Sequence, residues 1–318
     1  MRFRIAALLA IAFACAAQQD RLTFHGKGKR IVLVSGDDEY RSEQALPQLA
    51  AILSQRHGFD CTVLFAIDPA DGTVRPDLNT NIPGLEALDS ADLLVLFTRM
   101  RDLPDAQMKH IVDYVEAGKP IVALRTATHA FELKSSPTYR RWSWNSKEWD
   151  GGFGRQVLGE TWIAHHGKHK IQSTRAVTAP GKEQHPILRG VASGEIWVPT
   201  DVYRVRLPMP EGVEPLLLGQ VLEGMKSSDA PVAGAANDPM MPVAWTKSYK
   251  GARTFTTTMG AAEDLRNEAL RRLLVNACYW ALRMETPSHA DVTLAGNFQP
   301  LPFGFGGYAK GLRPADFR

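Results

Sequence analysis

Four short apolar runs set the limits on what this chain can fold into. Arg30-IVLVS-Gly36, Cys61 to Phe65, Asp92-LLVLF-Thr98 and Pro120-IVAL-Arg125 are rich in β-branched residues and leucine. Runs that are apolar on both faces belong in the middle of a sheet covered on both sides. Between the first two, Ala45, Leu46, Leu49, Ile52 and Leu53 recur at helical spacing within Ser42 to His57, and Gly58 ends that pattern. Between the last two, Pro104 suits the first turn of a helix reaching Glu116, with Ile111, Val112 and Val115 on one face and Gly118 closing it. Residues 66–84 read as a loop. This alternation predicts right-handed βαβ crossovers with parallel strands at about 30–35, 61–65, 92–97 and 120–125. The fold class is therefore α/β, a flavodoxin-like open parallel sheet with helices on both faces.

Downstream the rhythm changes. The stretch from Thr126 to Asp201 holds Trp142, Trp144, Trp149, Trp162 and Trp197, five of the seven tryptophans, with Gly151, Gly152 and Gly154. It reads as a long loop-rich insertion over the sheet. A late hairpin is expected at Pro242 to Tyr249 and Ala252 to Thr258, turning at Lys250-Gly251. An amphipathic helix is expected from Ala262 to Arg283. The tail from Thr286, with Pro302, Gly304, Gly306 and Gly307, reads as an extended wrap or a flexible end.

Open parallel sheets bind ligands beyond the carboxyl ends of their strands. Those ends carry Asp37, Asp38, Glu39 and Tyr40 after the first strand and Arg99 after the third. Arg125 follows the fourth, with His129 one turn further. They predict a polar pocket, although acids ahead of a helix also serve simply as caps. His165-His166-Gly167-Lys168-His169 is the densest titratable cluster, with three of the nine histidines. His165 and His169 have the i, i+4 spacing of a helical metal pair. Gly167 disfavours a helix there, and Lys168 and Lys170 place positive charge beside it, so no metal is assigned. Acid/base work, substrate binding and plain surface histidines stay open, and imidazole titrates in the range the first requires. Trp149 and Trp162, with Tyr40 and Trp144, fit either structural anchors or the apolar walls of a sugar site. No phosphate loop is present, because Gly26-Lys27-Gly28 precedes its strand, and no cofactor is expected.

The amino terminus reads as a secretory signal over residues 1–16. Arg2 and Arg4 precede the apolar run Ile5 to Ala14, and Ala14-Cys15-Ala16 offers the cleavage pattern. Export to the periplasm or outside the cell is the expectation, with a lipidated Cys15 the lesser alternative. The net charge of +3 falls to +1 without Arg2 and Arg4, since 35 basic residues then face 34 acidic ones. Such a balance gives no electrostatic footprint for nucleic acid and no polybasic membrane segment. Cys61 and Cys278 then remain, which excludes a disulfide framework and favours two buried thiols.

Taken together, IVLVSGDDEYRSEQALPQLA, ADLLVLFTRMRDLPDAQ, GKPIVALRTATHAF, FGRQVLGETWIAHHGKH, QHPILRGV and RTFTTTMGAAEDLRNEALRRLLVNACYWAL resemble the ThuA-like (trehalose-utilisation) family of the class I glutamine amidotransferase-like superfamily. The resemblance covers about Arg30 to Met284. It implies a domain at 28–285 followed by a Gly/Pro-rich tail at 286–318. In the superfamily's glutaminases a nucleophilic cysteine sits on a strained turn after the strand matching Pro120 to Leu124. Arg125 stands at that place here, and arginine cannot attack a carbonyl. ThuA-like proteins usually carry histidine there. PTDVYRV also lacks the family's Asp-Glu pair, and Met259-Gly260-Ala261 lacks a histidine after the glycine. The family's association is with carbohydrate catabolism.

The reading is a protein that takes a small carbohydrate, an oxidised sugar or a glycoside, without glutaminase chemistry. His129, His165, His166 and His169 are the candidate proton-transfer groups. Asp37, Asp38, Glu39, Tyr40, Arg99, Arg125, Trp149 and Trp162 are the candidate substrate contacts. A non-catalytic sugar-binding module and an interaction domain are the alternatives, and the oligomeric state is open.

Overall fold

The computed structural model describes residues 20–318. The expected leader, with Cys15, lies outside the described residues. In chain order the first strands are β1 (Arg21–Phe24) and β2 (Arg30–Gly36), followed by helix α1 (Ser42–His57) and strand β3 (Asp60–Leu64). Strand β4 (Leu93–Thr98), helix α2 (Asp105–Glu116) and strand β5 (Ile121–Leu124) follow. The four expected strands and two expected helices thus stand within one or two residues of the sequence reading. Helix α1 stops because Gly58 takes a left-handed φ of 72°, its N–H donating to the Ser54 carbonyl and the Phe59 N–H to the Leu53 carbonyl.

The insertion forms β6 (Ala164–His165), β7 (Thr174–Thr178) and β8 (Ile196–Val198). Then come β9 (Tyr203–Arg204), β10 (Glu214–Val221), β11 (Met241–Tyr249), β12 (Ala252–Thr257) and helix α3 (Glu268–Ala281). The expected hairpin is β11–β12, paired antiparallel from Ala244↔Thr257 to Tyr249↔Ala252. Helix α3 starts later than the apolar pattern suggested. Asn267 caps it by accepting from the Leu270 N–H, while Asp264 holds the preceding turn by accepting from the Gly260 and Ala261 N–H groups.

Ten strands form one sheet in the order β1-β3-β2-β4-β5-β12-β11-β10-β7-β8. The central pairs β3–β2, β2–β4, β4–β5 and β5–β12 are parallel. Numbered among themselves, these five strands have the flavodoxin order 2-1-3-4-5, with its switch point between β2 and β4. The four expected strands pair in parallel, and the sheet as a whole is mixed. Strand β1 pairs antiparallel with β3 at one edge, and β11, β10, β7 and β8 continue antiparallel at the other. Part of the insertion read as loop therefore extends the sheet.

Alternation along the central strands feeds two cores. Ile31, Leu33, Val95, Phe97, Val122 and Leu124 point to the face covered by α1 and α3. Val32, Val34, Leu94, Leu96, Ile121 and Ala123 point to the face covered by α2 through Met108, Ile111 and Val115. Cys61 in β3 and Cys278 in α3 are free thiols buried in the first core. Among the described residues no helix is long and apolar enough to cross a membrane. The tail wraps rather than dangling: Phe303 is buried, and Arg318 donates to the Thr23 carbonyl.

Candidate functional site

The chain turns sharply at the carboxyl end of β5. Arg125 follows Leu124 with a φ of 46°, a left-handed conformation that costs a bulky L-residue about 1–2 kcal/mol. The surroundings over-determine it. Its backbone N–H donates to the Met259 carbonyl at 3.2 Å. Its Nη1 donates to the carbonyls of Asp201 at 2.7 Å and Thr258 at 2.6 Å. Its Nη2 donates to the Tyr40 hydroxyl at 3.1 Å and to Asp201 Oδ1 at 3.0 Å. The guanidinium lies between two aromatic faces, 4.3 Å from the Tyr40 centroid and 3.8 Å from that of Tyr203. Arg125 is therefore a fully buried cation with an acidic partner, as a buried charge requires. The partner is Asp201, at the far end of the insertion. Arg125 and Tyr40 are both fully buried and neither lines the cavity described below, which corrects their reading as substrate contacts.

Asp201 gathers the site. Its Oδ2 is 2.7 Å from His165 Nδ1, and its Oδ1 is 3.0 Å from His169 Nδ1. A carboxylate only accepts, so each Nδ1 carries the proton, and a neutral His165 keeps a free electron pair on Nε2. Burial alone would raise the Asp201 carboxyl. The hydrogen bonds from His165 and His169 and the charge of Arg125 outweigh it and hold the group well below the usual carboxylate range. His169 Nε2 lies 3.2 Å from Glu39 Oε1, so this ring bridges two carboxylates. Burial first, then the charge of Asp37, raises the Glu39 carboxyl, while Arg125, Arg99 and His169 restrain the rise.

These groups face a cavity of about 320 Å³ at the carboxyl edge, next to the switch point. Glu39, Arg99, His129, His165 and His169 supply its polar wall, and Lys170 stands at the same wall. Trp162, Tyr203 and Phe305 supply the apolar one. Cavities of about 380 and 510 Å³ lie elsewhere, but neither is lined by a histidine. His129 packs on Trp162 with ring centroids 5.0 Å apart. Burial first, then the charges of Arg99, Arg125 and His165, lowers its pKa well below the ordinary value. His129 therefore stays neutral near pH 7 and serves as a hydrogen-bonding wall. Arg99 is 3.5 Å from Asp38 and 3.9 Å from Glu39.

Four other sequence candidates stand outside this cavity. Asp37 is fully buried and clamps the turn, its Oδ1 accepting from the Glu39 and Tyr40 N–H groups and its Oδ2 from Thr126. It is thus a cap. His166, just past β6, turns its Nε2 to the Ala236 carbonyl at 2.9 Å and does not line the cavity. Trp149 packs on Trp142 at 5.2 Å against the second core, an anchor for the insertion rather than a wall of the site. Asp38 reaches the site only through Arg99.

No sequence expectation pointed to Asp201, Tyr203, Lys170 or Phe305 as site residues. A lone acid between buried Thr200 and Val202 was the one local sign of Asp201. His165, His169 and Asp201 also offer three metal-ligand atoms within 4.8 Å of one another. Two ligands at about 2.0–2.1 Å from a tetrahedral ion stand roughly 3.3 Å apart. The 2.7 Å between His165 and Asp201 is a hydrogen bond instead, and Asp201 already shares the charge of Arg125. In this arrangement the three groups form a hydrogen-bonded relay around the Asp201–Arg125 pair.

The architecture has solved counterparts. A ThuA-like protein from Parabacteroides merdae superposes with a TM-score of 0.52 at 16% identity, over 82% of this chain and 92% of that one. One from Bacteroides uniformis gives 0.52 at 18%, over 81% and 92%. At such identities the likeness shows the fold. No curated protein matches the sequence. The ThuA trehalose-utilisation model, in contrast, matches residues 30–281, a span running from β2 through α3 and containing the turn at Arg125 and the relay at Asp201. By that match the chain belongs to the ThuA family.

Proposed function

We propose that this protein is an enzyme of carbohydrate breakdown that acts on an oxidised sugar or a glycoside by proton transfer through His165. The observation that carries this reading is the His165–Asp201 pair opening onto the cavity. The Asp201 carboxylate fixes the tautomer and orientation of the ring, so that Nε2 is presented to the cleft as a base, and the same carboxylate stabilises the imidazolium that forms. An alcohol or an acidic C–H of a sugar would give its proton to Nε2. Arg99 and neutral His129 would hold hydroxyl or carbonyl oxygens. Trp162 and Tyr203 would take the apolar face of the ring. The family's tie to trehalose utilisation supports a sugar as ligand. Glutaminase chemistry is not part of this reading. Arg125 holds the strained position where that superfamily places its nucleophile, and its side chain is spent on Asp201, Thr258 and Tyr40.

Thermal melting of the purified protein with trehalose, a ketone derivative of trehalose, glutamine or divalent cations tests the ligand class. A ligand at a hundredfold excess over its dissociation constant adds about 2.7 kcal/mol to native stability. A rise in midpoint with a sugar is expected. A rise with glutamine alone would overturn the reading.

Export belongs to the same proposal and rests on Arg2, Arg4, the run Ile5 to Ala14 and Ala14-Cys15-Ala16. Expression of the full chain is expected to yield processed protein outside the cytoplasm, beginning at Ala17 or Gln18. Cytoplasmic protein retaining Met1 would count against export, and a lipid on Cys15 would establish the lipoprotein alternative.

A further inference from the structure

The family match ends at Ala281, yet the chain returns to the site 24 residues later, at Phe305. Its backbone is tied down there at consecutive points. The Leu301 N–H donates to Gln44 Oε1 at 2.9 Å, the Phe303 N–H to Glu263 Oε2 at 2.9 Å and the Gly304 N–H to the Glu39 carbonyl at 2.7 Å. The Arg41 guanidinium donates in turn to the Gly304 carbonyl. The Phe303 ring is buried, stacked on Tyr40 at 5.5 Å and met edge-on by His169 at 5.5 Å. Gly304 has a φ of 147°, in the region that side chains rarely adopt. The segment is thus fastened by one phenylalanine while it presents the other.

Phe305 is 60% exposed, more than any other large hydrophobic side chain among the described residues, and it lines the His165 cavity. The hydrogen bonds of Leu301, Phe303 and Gly304 just ahead of it hold it there. The Arg99 guanidinium, 4.8 Å from the ring centroid, steadies its orientation through a cation–π contact. That same Arg99 reaches toward Glu39, so the ring is coupled to the polar wall.

We propose that Phe305 is a stacking platform for a sugar ring, a specificity determinant supplied by the segment beyond the family-matched domain. This rests on the reading that the His165 cavity takes a carbohydrate. A pyranose has an apolar C–H face and a polar rim. Phe305 would cover the face, while Arg99, Glu39 and His165 meet the hydroxyls. Lys170, whose Nζ lies 5.7 Å from the Phe303 centroid, stands at the same wall and adds a further donor.

The test uses the full chain after leader removal, with trehalose, glucose and a ketone derivative of trehalose as probes, and ligand-observed NMR titration to read binding. For whichever probe binds best, Phe305→Ala is expected to raise the dissociation constant about three- to tenfold, the range of aromatic face contacts. The melting midpoint should stay near the original, because the ring is exposed. Phe305→Trp is expected to restore binding. Unchanged affinity in Phe305→Ala would overturn the platform and leave the sugar reading standing. Failure of the unaltered protein to bind any of the three would overturn both. Weaker binding in Phe305→Ala together with turnover indifferent to His165 would sustain the platform and remove the proposed chemistry.

Discussion

His165→Ala is expected to lower turnover of a sugar substrate by about 10²–10⁴-fold, the usual worth of a positioned acid/base group. The side chain is 39% exposed and makes one strong hydrogen bond, to Asp201 Oδ2. Its loss should therefore move the melting midpoint little. Asp201 keeps His169 and Arg125 as partners, so no buried charge is left unpaired. The effect should fall on kcat more than on KM, because the proton transfer is made in the transition state. His166→Ala is the internal comparison. That ring turns to the Ala236 carbonyl and away from the cavity, and its removal should leave turnover near the original. Equal turnover in His165→Ala and the unaltered protein would dismiss the relay as a catalytic device.

Arg125→Met should be the most damaging single change to stability, at about 3–5 kcal/mol, the cost of removing one partner of a buried ion pair. The guanidinium and the Asp201 carboxylate are both fully buried at 3.0 Å. Four oxygen acceptors and two aromatic faces lose their partner together. At about 2–4 °C per kcal/mol the midpoint should fall roughly 10 °C. Lysine should rescue only in part, since one ammonium cannot reach acceptors on Tyr40, Asp201 and Thr258 together. Coupling is expected in the double variant Arg125→Met with Asp201→Leu, which should be less destabilised than the sum of the two singles. The pair also sets a pH dependence. The Asp201 carboxyl is held below its unfolded value, near 3.9. Its contribution is thus complete above that pH and is lost as pH falls through the lower folded value. Denaturant titration at neutral and acidic pH measures both effects. A loss below 1 kcal/mol for Arg125→Met would show that the pair does not hold the turn.

These expectations depend on geometry of unequal legibility. Asp38, Glu39 and Arg99 were recognisable because strand ends of a parallel sheet are themselves recognisable, and any polar residue there lies near the site. The role of Arg125 was misjudged because its acidic partner is 76 residues away on the far side of the insertion. A buried cation announces that it needs an anion but not which one. His165 and His166 are neighbours with the same chemistry. Only the pairing of β6 with β9, His165 opposite Tyr203, decides which ring enters the cavity. Trp149 and Trp162 are equally apolar in sequence, and one became an anchor and the other a wall through packing that no local pattern encodes.

By itself the sequence determined the central strands and the helices that cover them. Those rest on interactions within one element or between neighbours: side-chain alternation with period two, helical faces with period 3.6, and glycine at a helix end. The same local logic located the carboxyl edge as the place for chemistry. The tertiary structure alone decided that β7, β8 and β10 extend the sheet antiparallel, that Asp201 gathers Arg125, His165 and His169, and that the tail returns Phe305 to the cavity. Each of these joins segments far apart in the chain, and what selects them is the need to pair buried charges, satisfy backbone groups and cover apolar surface. That need is met by the whole fold, so its solution is not written in any one stretch.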